Sequence, residues 1–240
     1  MSAHRLTMLV TSGAALAGAL AQPPDPRPFD PKSFVREVTN PYFPLVPGTT
    51  YRFRGTGGAR DETTVVTVTH DAREILGVRA TVVHDQVFAK GKLKEDTYDW
   101  YAQDAEGNVW YLGEDTKEYA LGRVVSRSGS WEAGKHGAKP GIIMWADPAA
   151  HVGERYRQEY MRGVAEDVGK VVALREQVTV PHGRFTDCLR TEDTTPLEPK
   201  VREHKLYCRG VGVVKEIESA REGRGSELVA VERPGSPNGE

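Results

Sequence analysis

The stretch Asp96-Thr-Tyr-Asp-Trp-Tyr-Ala-Gln-Asp-Ala-Glu-Gly-Asn-Val-Trp-Tyr-Leu-Gly-Glu114 decides the fold class. Its residue types predict a β-hairpin whose turn falls at Asp104–Asn108, with Gly107 supplying the positive φ that closes a three-residue loop. Setting Asp104 opposite Asn108 pairs Tyr101 with Tyr111, Trp100 with Leu112 and Ala102 with Trp110. Because side chains alternate along a strand, Trp100, Trp110 and Leu112 then share one face, and Tyr101, Tyr111 and Val109 the other. A half-exposed sheet needs one apolar face only. Two such faces point to a strand pair covered on both sides, or to one side lining a cavity.

The same period of two extends in both directions. Thr50–Arg54, Glu62–His70, Val78–Phe88, Lys94–Gln103 and Asn108–Gly113 are rich in Val, Thr, Tyr and Trp, with turns at Leu76-Gly77 and Lys90-Gly91-Lys92. Glu118–Leu121 and Arg123–Arg127 form another hairpin around Gly122. A second run follows: Tyr156–Met161, Val168–Val180, Phe185–Thr191, Arg202–Cys208, Val211–Glu218 and Glu227–Glu232. No segment holds a helical period over three turns; the best candidate, Asp30–Val38, is short. These features predict an all-β chain, a curved antiparallel sheet or open β-barrel of ten or more strands. Between the two runs lies Ser128–Gly153, rich in Gly and Pro yet holding Trp131, Ile142, Ile143, Met144 and Trp145. Long loops of this kind are often functional, and its apolar residues predict a lid or plug over the sheet.

The N-terminus predicts export. Arg5 precedes an uncharged apolar run, Leu6–Ala21, ending in the A-x-A site Ala19-Leu20-Ala21 before Gln22, the pattern of a cleaved signal peptide. No later stretch approaches the roughly 20 apolar residues of a transmembrane helix. Residues 22–39 form a proline-rich segment whose start is expected to be extended. Beyond it, Tyr42, Phe43 and Leu45 are expected to dock on a single β domain over 40–233, with a frayed tail at 234–240. The chain carries 32 basic and 34 acidic side chains, interspersed, so composition offers no footprint for nucleic acid or an anionic membrane. In an exported chain the two cysteines, Cys188 and Cys208, favour a disulfide. A hairpin centred on Glu198, across the Pro196–Pro199 turn, sets them directly opposite.

Catalytic signatures are sparse. Gly129-Ser-Trp-Glu-Ala-Gly134 lacks the strand–turn–helix setting of a nucleophile elbow, and no HExxH, Walker or HxE…PCxxC pattern occurs, so no metal or cofactor is expected. Gly210-Val-Gly212 sits between strands and lacks the third glycine of a dinucleotide loop. His70, His84, His136, His151, His182 and His204 are scattered, as structural histidines are. Asp104, Glu106 and Asn108 imitate the start of a calcium loop but lack its later ligands, and a hairpin turn accounts for them. Asp96, Asp99, Glu114 and Asp115 form either a solvated rim or a site for a cation or sugar hydroxyls.

Several motifs resemble a family of secreted, β-rich bacterial proteins without an assigned activity. They are Asn40-Pro-Tyr-Phe-Pro-Leu-x-Pro-Gly-Thr49, Asp96-Thr-Tyr-Asp-Trp-Tyr-Ala-Gln-Asp104, Gly107-Asn-Val-Trp-Tyr111, Gly129-Ser-Trp-Glu-Ala-Gly134 and Gly210-Val-Gly212. The resemblance spans nearly the whole chain beyond the leader and implies export and a β fold. Where that family has Tyr-Ala-Pro-Gly, this chain has Tyr207-Cys-Arg-Gly210, which introduces Cys208. The closing pattern also resembles, more loosely, envelope proteins built on a curved antiparallel sheet.

Together these readings predict an exported, non-enzymatic protein that binds a small apolar or amphipathic ligand within a curved sheet. Tyr101, Tyr111, Trp131 and Trp145 are the expected lining, and Glu132 the expected polar anchor. The alternative is a secreted hydrolase using carboxylate and histidine acid–base chemistry beneath the 128–153 loop.

Overall fold

A computed structural model describes residues 23, 25, 27–219 and 223–235. The predicted signal peptide, residues 1–21, and most of the predicted tail lie outside them. The strands are β1 (Phe34–Val35), β2 (Thr50–Thr56), β3 (Glu62–Ile75), β4 (Val78–Ala89), β5 (Lys92–Asp104), β6 (Val109–Ala120), β7 (Arg123–Ser126) and β8 (Trp131–Glu132). They continue as β9 (Lys139–Met144), β10 (Arg155–Arg157), β11 (Glu159–Tyr160), β12 (Val168–Val180), β13 (Gly183–Thr194), β14 (Arg202–Cys208), β15 (Gly212–Glu218) and β16 (Gly225–Glu232). The fold is all-β, as the alternation of residue types requires.

Hydrogen bonding runs in the order β10-β12-β13-β14-β15-β16-β2-β3-β4-β5-β6-β9-β11. The two ends of this order, β10 and β11, are parts of one short segment broken only at Gln158. The first half pairs with β12 and the second with β9, so the sheet closes into a barrel and leaves no long bare edge. Closure brings backbones close: a Cβ on Gly141 of β9 would stand 2.3 Å from the Arg157 carbonyl oxygen. Only glycine fits there.

One end of the barrel is stoppered. The segment after the proline-rich stretch turns in at Tyr42, buries Phe43 and Leu45, and is held by Asn40. The Asn40 side chain donates to the carbonyls of Gly107 and Trp145, and its own amide donates to the Gln103 side chain. Asp25 and residues 27–35 are fixed as well. Phe29 and Phe34 pack on Trp110, β1 pairs with the end of β5, and Asp25 forms ion pairs with Lys139 and Arg157.

Two local expectations are corrected. Asp30–Val38 is not a helix. Asp30 caps a single 3-10 turn over Pro31–Ser33, after which Phe34 and Val35 satisfy their backbone by pairing with β5. The 128–153 stretch is in part wall rather than lid: Trp131–Glu132 and Lys139–Met144 both add to β6, and Ile142 and Met144 fill the core.

Candidate functional site

The opening hairpin has the predicted turn. The Asp104 backbone N–H donates to the Asn108 carbonyl, and Gly107 has φ +99°. The buried Asp104 carboxylate accepts from the Glu106 and Asn108 backbone amides, the Asn108 side chain and the Trp110 indole N–H. The turn uses the Asp104 carboxylate, while the Glu106 carboxylate pairs with Arg27. Tyr101 pairs with Tyr111 and Ala102 with Trp110, but Trp100 pairs with Gly113 instead of Leu112. Leu112 is the extra residue of a bulge. The cause is non-local: β8 presses on Gly113, where a Cβ would lie 2.4 Å from the Trp131 carbonyl oxygen and where φ is +139°.

Inside the barrel, the side chains form layers. Next to the stopper, Phe43 packs on Tyr101 and Tyr207 with centroids 5.1 and 6.3 Å apart. Tyr101 stacks on Tyr111 at 4.8 Å, and Trp131 meets Tyr111 edge-on at 5.3 Å. The Tyr111 hydroxyl donates to Asp99 at 2.5 Å. Burial, then Asp99 and Glu114, push both hydroxyls well above the usual tyrosine range, so they remain neutral donors.

The middle layer is polar, because Glu95, Thr97 and Asp99 alternate along β5 opposite Glu118, Thr116 and Glu114 of β6. Thr97 donates to the Thr116 hydroxyl at 2.7 Å. Across the barrel, Lys205 is only 1% exposed, with its ammonium 3.1 Å from Asp193 and 3.2 Å from Glu203. Burial favours its neutral form, but Glu203 and Asp193 outweigh that and hold its pKa well above the ordinary lysine value.

Above this layer the barrel is open. A cavity of about 290 Å³ enters from the end opposite the stopper. Its wall mixes Val87, Tyr119, Ala120 and Val125 with Glu62, Glu95, Glu118, Glu203, Glu216 and Glu218, and with Arg224 and Lys94. Arg224 donates to both oxygens of Glu62, and Ser226 to Glu216. Among the described residues, no three acidic, histidine or cysteine side chains converge as metal ligands would. A second, more open hollow of about 480 Å³ lies outside the barrel between Asp25, Arg27, Phe29 and Trp110.

None of the five expected lining residues borders the open cavity. Tyr101, Tyr111 and Trp131 come together in the aromatic layer beneath it. Trp145 lies apart from them, stacked on His151 at 3.9 Å and edge-on to Tyr156. Glu132 pairs with Arg73 and Lys135. Partial burial would raise its pKa, but hydrogen bonds from Lys135 and Arg73 prevail and lower it below the ordinary 4.5. A depressed carboxyl pKa contributes stability that is present above the unfolded value and lost as pH falls through the folded one. Urea unfolding across acidic pH should therefore show Glu132→Gln losing part of the wild-type decline below about pH 4.5, the ordinary value. Parallel wild-type and variant curves would contradict this.

The four acidic residues divide by strand parity. Asp99 and Glu114 are neighbours inside the wall, whereas Asp96 bonds His84 at 2.6 Å on the outside and Asp115 pairs with Lys117 and Arg127. None of the four borders the open cavity, and no residue of 128–153 covers it. Cys188 and Cys208 are directly paired across β13 and β14 and joined by a disulfide, toward the stoppered end.

No protein-family model and no curated protein matches the sequence. Three solved structures are distantly similar in shape. A protein inferred to be exported, with a YmcC-like fold, from Bacteroides fragilis is 15% identical, at a TM-score of 0.43 over 80% of this chain and 98% of that one. A protein inferred to be a lipoprotein, from Parabacteroides distasonis, is 10% identical at 0.44, again over 80% and 98%. A β-barrel-like protein of a domain of unknown function, from Brucella abortus, is 11% identical at 0.42, over 78% and 98%. Likeness this distant says nothing of function.

Proposed function

We propose that this chain is an exported binding protein that holds a small amphipathic ligand in the open end of its barrel and performs no reaction on it. The cavity carries this reading. A barrel otherwise filled with side chains keeps about 290 Å³ open, close to the lower limit of small-molecule sites, about 300–1,000 Å³. Its wall combines apolar side chains, Val87, Tyr119 and Val125, with carboxylates, Glu95, Glu203 and Glu216. An amphipathic molecule satisfies both; a purely apolar one would strip water from the carboxylates without replacing it. Export is supported by the Leu6–Ala21 leader and by the disulfide, which suits an oxidising compartment.

The test is titration of solvent-stripped protein with a fluorescent alkyl-chain amphiphile. Ala120→Trp places a large ring in the cavity from an exposed wall position and should weaken binding roughly tenfold or more, about 1.4 kcal/mol. The melting temperature should hold. Equal binding by both proteins, or none by the wild type, would sink the proposal.

A further inference from the structure

The turns at the open end differ from the cavity they surround. Residues 57–61, Lys90-Gly91, Leu121-Gly122 and residues 195–201 all project at this end. On or beside them stand Arg60, Lys90, Lys92, Arg123 and Lys200, all exposed, against Asp61 and Glu198. Lys90 pairs with Asp61, but Lys92, Arg123 and Lys200 form no ion pair among the described residues. The basic excess is hidden in the near-neutral composition and appears only once the strands gather these turns.

The β6–β7 hairpin carries the apolar counterpart. Leu121, at its tip, is 100% exposed, and Val125 and Val124 are 62% and 43% exposed. Leu121 also has φ +52°, a conformation in which a hairpin turn favours Asn, Asp or Gly. A leucine there is disfavoured by its backbone and, in water, gains nothing from its side chain. Leu76 occupies the same place in the β3–β4 turn at the other end, with φ +51°, but it packs against Gly134. Leu121 has no such packing.

We propose that the open end of the barrel docks on an anionic lipid bilayer. The tip of β6–β7 enters the headgroup boundary through Leu121, Val124 and Val125, and the basic turns lie over the lipid phosphates. Separate apolar points flanked by cations suit a fluid surface, where an apolar element and basic charge together give stable attachment. A protein partner would call for a continuous complementary patch. Of the cavity carboxylates, Glu62 and Glu218 are held by Arg224 and Glu203 by Lys205, which offsets their charge beneath the turns. Docking does not depend on a ligand, although Val125 belongs to both the tip and the cavity wall, so the cavity opens toward the lipid.

Co-sedimentation of the mature protein with phosphatidylcholine vesicles, with and without phosphatidylglycerol, tests the proposal. Binding should require the anionic lipid and weaken with added salt. Leu121→Ser with Val125→Ser should lower partitioning at least about tenfold, and Lys92→Glu with Arg123→Glu roughly fivefold per charge. Brominated lipid should quench the added fluorescence of Leu121→Trp but not that of Val46→Trp, which is exposed at the stoppered end. These are surface positions, and unchanged circular dichroism would confirm that each variant folds. Equal binding to neutral vesicles, unaltered binding of the variants, absence of binding, or retention only when a membrane protein is present would each overturn the proposal.

Discussion

Lys205→Ala should destabilise the protein by about 3–5 kcal/mol, the cost of leaving buried charge without its partner. The ammonium lies between Asp193 and Glu203 at 3.1 and 3.2 Å, and Asp193 is itself only 5% exposed. Removing the cation strands a carboxylate in the wall and leaves a void beside it. Lys205→Met with Asp193→Leu should recover much of the loss, because an apolar pair of similar volume fills the space and removes the more deeply buried carboxylate, Glu203 being 20% exposed. The sign of the pH dependence is distinctive. A lysine whose folded pKa is raised contributes stability fully present below its unfolded value, about 10.4, and lost only as pH rises through the higher folded value. The gap between wild type and Lys205→Ala should thus be flat from about pH 6 to 9. Unfolding free energies from urea titration within about 1 kcal/mol of each other, as for an exposed ion pair, would mean that this ammonium remains hydrated.

Cys208→Ala should cost about 3 kcal/mol, the chain-entropy value for a cross-link over a sequence separation of 20. For a domain near 200 residues that is a fall in melting temperature of roughly 6–12 °C. Both cysteines are buried, so part of the loss reflects packing. The cross-link bridges the ends of β13 and β14 away from the cavity, and the loop between them is long enough to fix register poorly. Amphiphile binding should therefore persist in the variant. Peptide mapping that found both thiols alkylated in freshly exported native protein would refute the bond.

Local chemistry made much of the fold legible. The Asp104–Asn108 turn fixes how β5 and β6 meet, and with it the Tyr101–Tyr111 pair. The spacing across Glu198 likewise places Cys188 opposite Cys208. What escaped depends on distant partners. Nothing near Leu112 announces a bulge that β8 imposes through Gly113, and nothing near Ile142 says that β6 offers it an edge.

The site escaped for a different reason. β5 carries Glu95, Thr97 and Asp99 on one face and Asp96, Tyr98 and Trp100 on the other, so polarity alone does not say which face turns inward. The alternation of Glu95, Thr97 and Asp99 against Glu114, Thr116 and Glu118 is the signal in the sequence, and it lies among aromatics that point equally to either face. Tyr101, Tyr111 and Trp131 form the layer beneath the cavity. The charged side chains of adjoining strands share its wall with Val87, Tyr119 and Val125.

The most direct measurement is the native mass spectrum of the mature protein purified from its own host, before and after organic extraction. A barrel that holds a ligand should show a single added small molecule per chain, removed by extraction and absent from Ala120→Trp. A bare polypeptide mass from freshly isolated wild-type protein, unchanged by extraction, would contradict a ligand-holding role for the open end.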